Sequence, residues 1–396
     1  MAKLSIADLD LKGKRVLVRV DFNVPLNDKR EVTDDTRIRA ALPTIRHAMS
    51  QGAKVLLISH LGRPKGKAVP GMSLAPVAAR LSQLLGQPVA MASDCIGEAV
   101  TAAVGALQPG RVLMLENCRF HDGDEKNDEA MSRALAGLCE VFVNDAFGAA
   151  HRAHASTVGV TKFVPVSACG FLMAKELEYL GRAVVNPARP FVAVLGGAKV
   201  SDKIGVLKNL VPKVNALLVG GGMAYTFLKA QGMEVGASLL EADKLDVAKD
   251  ILKEARTKGV TFLLPMDHII AQKAEATAVT RTADSTAIPA GWMGLDIGPK
   301  AREAFAKLIQ GAKTVVWNGP MGVFELAPFR EGTFAVARAI AASGATSIVG
   351  GGDSVAAVTQ AGVADRMTHI STGGGASLEF LEGIELPGVA ALTDKR

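Results

Sequence analysis

Short runs of apolar, mostly branched residues recur along the chain, and each stops abruptly at glycine, asparagine, aspartate or histidine before an amphipathic stretch begins. In the first half they read RVLVRVDFN, KVLLISHLG, RVLMLENCRF and EVFVNDAFG; in the second, FVAVLGGAK, ALLVGGG, TFLLPMDH, TVVWNGP and SIVGGGDS. The runs are continuous rather than alternating, as strands buried on both faces require, so they predict parallel sheets covered by helices on each side. The stretches between them have helical periodicity. After Asp34 and Asp35, the apolar residues Ile38, Ala41, Leu42, Ile45 and Met49 fall on one face, and Gly52 follows the end. Ser73 stands before LAPVAARLSQLL as a candidate cap, with Gly86 closing that helix. The β-loop-α rhythm predicts a doubly wound α/β architecture.

A length of 396 residues exceeds the size at which one hydrophobic core stops growing. Two Rossmann-like domains are therefore expected, residues 1–172 and 189–375, joined by a hinge helix or linker over 173–188, where KELEYLGRAVV runs into the breaker NPARP. Periodicity leaves the final ELPGVAALTDKR unplaced. Hydrophobic residues at 49% and charged residues at 21% describe a chain folded throughout. No apolar run approaches a bilayer span, and no apolar stretch precedes the charges of the N-terminus, so a cytoplasmic protein is expected, with no membrane partner. Cys95, Cys118, Cys139 and Cys169 lie far apart without a C-x-x-C pair, which suits free thiols. A net charge of +6 would suit nucleic acid, but aromatics are only 5% and no Lys/Arg run is present, so small acidic molecules are the expected partners.

In open parallel sheets ligands bind beyond the carboxyl ends of strands, so the residues after each apolar run are the candidates. In the first half these are Asp21, Asn23, His60, Arg63, Arg119 and Arg152, with Arg37 opening the following helix. One such arginine would be an ordinary surface residue. Several at comparable strand ends point to a shared site for a small polyanion, because guanidinium forks match phosphate and carboxylate oxygens in pairs. His60, His151 and His154 lack a third ligand at a spacing zinc would use. The second half is rich instead in glycine, at Gly196 and Gly197, Gly220 to Gly222, Gly350 to Gly352 and Gly373 to Gly375. A strand, a glycine turn and a helix N-terminus together aim unpaired amides at a phosphate, although glycines also serve tight turns in any α/β protein. Lys199 and Lys203, four residues apart, are expected on one helical face beside Gly197.

There is no P-loop, no dinucleotide fingerprint, no nucleophilic serine elbow and no protein-kinase signature. Phosphoryl transfer on a metabolite remains the leading reading. A dehydrogenase with two Rossmann-like halves is weakened by the missing fingerprint. A non-catalytic protein closing around a solute stays open as an alternative.

Taken in order, RVDFNVP, DDTRIRAALPTI, SHLGRP, ENCRF, NDAFGAAHRAHAS, LGGAKVSDKI, VGGGMAYTFLKA, LDIGP, WNGPMGVFE, VGGGDS and STGGGASLEFLEG resemble the signatures of the phosphoglycerate kinases over nearly the full chain. The resemblance implies reversible phosphoryl transfer from 1,3-bisphosphoglycerate to ADP, with Mg2+, in glycolysis. It implies a 3-phosphoglycerate site of Asp21, Asn23, Arg37, His60, Arg63, Arg119 and Arg152. For the nucleotide it implies Gly197, Ala198, Lys199, Lys203, Asn318, Gly351, Gly352, Asp353 and Ser354, with Glu325 on the ribose and Asp353 holding the magnesium nucleotide. The transferring group would meet Arg37 from the acid side, and Lys203 with the amides of Gly374 and Gly375 from the other. The resemblance also implies that residues 376–396 return to the first domain and that the domains close about the hinge. A monomer is the expected state.

Overall fold

The apolar runs of the first half form the centre of a six-stranded parallel sheet, in the spatial order Val89–Met91, Val112–Met114, Lys54–Ile58, Arg15–Arg19, Val141–Asn144, Ser167–Cys169. The computed structural model describes residues 3–395, which divide into two units: residues up to Glu178 together with those from Glu385 on, and Tyr179–Ile384. In the first unit the two edge strands have only three residues each, too few to register as apolar runs. The central strands are buried almost throughout, as their continuous patterns require.

The helix Thr36–Ser50 buries Ile38, Ala41, Leu42, Ile45 and Ala48 against this sheet, whereas Met49 is only partly buried at its edge. Fully burying a side chain such as Ile45 is worth about 1.5–3 kcal/mol, and the buried face as a whole outweighs the roughly 3 kcal/mol or more that an internal proline such as Pro43 costs. Its two leading aspartates divide their work. Asp34 Oδ1 accepts from the Thr36 amide (2.8 Å), while Asp35 is engaged by Arg39 (2.7 Å) and Arg80 (2.6 Å). Ser73 Oγ accepts from the Ala75 amide (3.2 Å) at the head of helix Ala75–Leu85, which ends at Gly86 in the left-handed conformation. The tail is tied to the same unit: Leu4 N donates to Thr393 O (2.8 Å), Thr393 N to Ser167 O (3.0 Å), and Asn144 Nδ2 to Gly388 O (3.2 Å).

The second unit has its own six-stranded parallel sheet, in the order Thr261–Leu263, Ala216–Val219, Phe191–Leu195, Thr314–Asn318, Thr346–Gly350, His369–Ile370. Its registers align Leu195, Asn318 and Gly350, so the loops that follow these three strands leave the sheet at one level. Beside it stand an antiparallel sheet of Arg281–Asp284, Asp267–Ala271 and Met293–Ile297 and a small parallel pair, Glu234–Val235 with Ala287–Ile288. Sequence pattern missed Arg281–Asp284 because it is short and mostly exposed, and the two-residue strands because they are too short to show a period. All four cysteines are buried free thiols. Among the described residues no helix is long and apolar enough to cross a membrane.

Candidate active site

In the first unit the loop after Lys54–Ile58 is the point of convergence. Asn23 Oδ1 accepts from the Gly62 amide (2.9 Å), and Arg119 Nη1 donates to the Gly62 carbonyl (3.1 Å). Arg37 Nη1 donates to both oxygens of Asp21 (3.2 and 3.1 Å) and to Asn23 O (3.1 Å). Asp21, Asn23, Arg37, His60 and Arg119 are thus drawn together, while Arg63 and Arg152 are exposed on loops.

His60 is buried, and its Nδ1 lies 3.1 Å from Nη2 of Arg19, a wholly buried guanidinium at the end of the first strand. A guanidinium only donates, so Nδ1 must accept and the ring carries its proton on Nε2. Burial, reinforced by Arg19, Arg119, Arg37 and His154, holds the pKa of His60 well below the usual histidine range. His60 is therefore a neutral donor, suited to an anion's oxygen. Arg19 Nε also donates to Ser156 Oγ (3.0 Å), and Asp124 accepts nearby from the Ser156 amide (3.0 Å) and the Cys118 thiol (3.3 Å). Arg119 has an Nε with no hydrogen bond, 3.4 Å from Glu125. The basket therefore keeps donor capacity in reserve.

In the second unit the three level loops enclose a cavity of about 380 Å³ lined by Gly196, Gly197, Ala198, Lys199, Asp202, Lys203, Asn318, Gly319, Pro320, Gly351, Gly352, Asp353, Ser354 and Leu378. Some of its glycines are there for packing. A Cβ on Gly196 would stand 2.1 Å from Pro320 O, and one on Gly319 2.2 Å from Gly196 O, so these loops touch backbone to backbone. Gly197 and Gly352 of the lining, by contrast, have nothing within 4 Å of such a Cβ, and neither has Gly374 outside it. Gly351 caps helix Gly352–Gln360, whose first amides have no partner inside the helix. Ser354 is buried, its Oγ accepting from Gly319 N (2.7 Å).

Lys203 Nζ donates to Asn318 Oδ1, and burial lowers its pKa. Lys199 and Lys203 do not share a helical face. Lys199 lies in the loop, and a turn over Ser201–Lys203 precedes the helix Ile204–Leu210. The positive φ at Gly197 and the close packing of Gly196 delay the helix, yet both lysines still line the cavity. Gly374 and Gly375 open the helix Gly375–Leu381, which contributes Leu378 but not themselves to the lining. Glu325 is exposed on the loop after Thr314–Asn318 and is not part of the lining either.

A model of the phosphoglycerate kinase family matches residues 6–384. The chain belongs to the phosphoglycerate kinase family. It is 62% identical over 403 residues to a phosphoglycerate kinase of Koribacter versatilis (strain Ellin345), covering 100% of both chains. It is 61% identical over 393 residues to one of Anaeromyxobacter dehalogenans (strain 2CP-C), covering 99% of each. Among solved structures, phosphoglycerate kinase from Coxiella burnetii matches with a TM-score of 0.91 at 44% identity, and that from Pyrococcus horikoshii OT3 with 0.83 at 34%, each over 98% of both chains. Membership in the phosphoglycerate kinase family makes this chain a phosphotransferase. Sequence reasoning missed Arg19 and Asp202. Arg19 had a signal, since a charge inside an apolar strand must find a partner once buried.

Proposed function

We propose that the chain transfers a phosphoryl group reversibly from 1,3-bisphosphoglycerate to ADP, giving 3-phosphoglycerate and ATP, as a step of glycolysis, and that it acts as a cytoplasmic monomer. The reading rests on one observation above the others: a single cavity of about 380 Å³ gathers two lysines, two aspartates, a helix N-terminus with no side-chain cap and open glycines. Helix amides and ammonium groups in that arrangement suit a nucleotide's phosphates.

In the ATP-forming direction, a β-phosphate oxygen of ADP attacks the acyl phosphorus; the bond to the carboxylate oxygen breaks and its electron pair leaves with the carboxylate. In reverse the carboxylate attacks the γ-phosphorus and ADP departs. Neither nucleophile must lose a proton first, so no general base is needed. The barrier lies in aligning two anions and stabilising charge on the oxygens in flight.

We assign the acid to Asp21, Asn23, Arg37, His60, Arg63, Arg119 and Arg152, with His60 donating from Nε2. Arg37 turns from Asp21 toward the transferring group. Lys199, Lys203, Gly197, Ala198, Asn318, Gly351, Gly352 and Ser354 receive the nucleotide's phosphates, Glu325 its ribose, and the amides of Gly374 and Gly375 the group in transit. Asp353 is exposed in the first turn of its helix, a hard carboxylate such as Mg2+ takes beside phosphate oxygens. When bound, the ion neutralises phosphate charge. Transfer requires residues 1–172 and 189–375 to bring their half-sites to one phosphorus by closure about 173–188, which also excludes water. Purified chain given MgATP and 3-phosphoglycerate should form acyl phosphate, trapped directly as its hydroxamate. ATP hydrolysis without acyl phosphate would overturn the assignment.

A further inference from the structure

Next to the turn that carries Arg119, one cluster in the first unit joins an oxygen, a sulfur and a nitrogen donor. Strands Val89–Met91 and Val112–Met114 run parallel with Met91 beside Met114, so the loops after them emerge side by side. The first loop carries Asp94 and Cys95; the second passes through the turn Cys118–Phe120 to His121. Two backbone bonds pin them together, Ala92 N to Met114 O (2.8 Å) and Glu116 N to Asp94 O (3.2 Å). A carboxylate oxygen of Asp94, Cys95 Sγ and a ring nitrogen of His121 all lie within 4.8 Å of one another, with His121 Nε2 2.7 Å from Asp94 Oδ1.

We propose that Asp94, Cys95 and His121 form a binding site for a thiophilic divalent cation such as Zn2+, its fourth position open to water. Tetrahedral bonds of the usual Zn–S, Zn–N and Zn–O lengths separate donors by about 3.3–3.7 Å, so the cluster needs small side-chain shifts and no new loop conformation. The mixed donor set disfavours Mg2+, which takes oxygens, so the nucleotide's ion does not compete. Asp94 and His121 have side chains 43% and 33% exposed, which gives the ion an entry, while Cys95 is wholly buried at the inner end.

Binding forms the sulfur–metal bond as the thiol proton leaves to solvent, and it replaces the Asp94–His121 contact as the Nε2 proton moves to Nδ1 of the ring, so that the bare nitrogen meets the ion. Burial, and then the neighbouring Cys118, Asp94 and Asp124, keep that thiol protonated, so affinity falls as pH is lowered. Occupancy would also fasten the turn that carries Arg119, two residues before His121, to the Asp94 loop.

Co2+ is the probe. Titrated into the full chain at mildly alkaline pH, it should give a thiolate-to-cobalt charge-transfer band that saturates at one equivalent and is displaced by Zn2+. Cys95→Ser should abolish the band, His121→Ala should weaken binding about tenfold or more, and Cys118→Ser should leave it. Phosphotransfer activity reports whether each variant is folded. Should Cys95→Ser not fold, mass spectrometry of the parent decides: Zn2+ must protect Cys95 from alkylation. No band in excess Co2+, a band that survives Cys95→Ser, or a Cys95 alkylated equally fast with Zn2+ would overturn the site.

Discussion

Gly196 and Gly352 both line the cavity of the second unit that we propose for the nucleotide, and alanine at each should separate packing from ligand contact. At Gly196 the new methyl would stand 2.1 Å from Pro320 O and 2.7 Å from Gly319 O, both backbone atoms in neighbouring loops. Those loops would have to part, and overpacking of this kind costs about 1–3 kcal/mol. At Gly352 the methyl meets nothing within 4 Å, and the residue starts a helix with no unusual φ. Gly352→Ala should therefore leave the fold as stable or more stable by about 0.4–1 kcal/mol, through the stiffer unfolded chain. It should nonetheless hold phosphate away from the backbone. Losing one charge-assisted hydrogen bond, about 1.5–3 kcal/mol, weakens binding roughly 10- to 150-fold. Urea midpoints and calorimetric ATP titration of both variants check this. A Gly352→Ala variant binding ATP as tightly as the parent, or a Gly196→Ala variant of parental stability, would refute the division of roles.

Arg37→Ala should lower turnover by about a thousandfold, as for other arginines that meet a transferring phosphoryl group; steady-state rates at saturating substrates read this directly, and near-parental turnover removes Arg37 from the mechanism. Chelating Mg2+ with excess EDTA should stop acyl phosphate formation while leaving 3-phosphoglycerate binding in place, which calorimetry can follow. The carboxyl of Asp145 is pushed up to about 6, mainly by burial and against the hydrogen bonds it accepts from Thr44 and the amides of Met173 and Leu172. Its folded pKa lies above its unfolded value, so the fold prefers the protonated form. The contribution is full below the unfolded pKa of about 3.9 and is lost as pH rises through about 6. Asp145→Asn should flatten the stability–pH curve over that window, with urea midpoints at several pH values as the measure.

The central strands and long helices were legible because each buries a continuous run or a full helical face. The strands of 281–284 and 287–288 were not, since the first is mostly exposed and the second is only two residues long, so neither carries a period to read. Glycine clusters marked loops that line the second unit's cavity but not which glycines serve which purpose. Gly196 and Gly352 look alike in sequence, and only the approach of Pro320 O to the first separates them. The spacing of Lys199 and Lys203 implies one helix face only where a helix has already begun, whereas the Gly196–Gly197 turn postpones it. His60 could be read as a polar group at a strand end. That its proton sits on Nε2 depends on Arg19, whose partner is 41 positions away in sequence.

The pairing of Thr393 with Leu4 and Ser167 has a consequence for biosynthesis. Residues from Glu385 onward leave the ribosome only after all of Tyr179–Ile384 has been made, so the earlier-emerging unit waits for its last piece while the later one already has all its own strands. Nascent chains stalled short of residue 385 would expose the amide of Leu4 and the side-chain amide of Asn144 without their native acceptors, making that interval a window in which holdase chaperones would have most to grip.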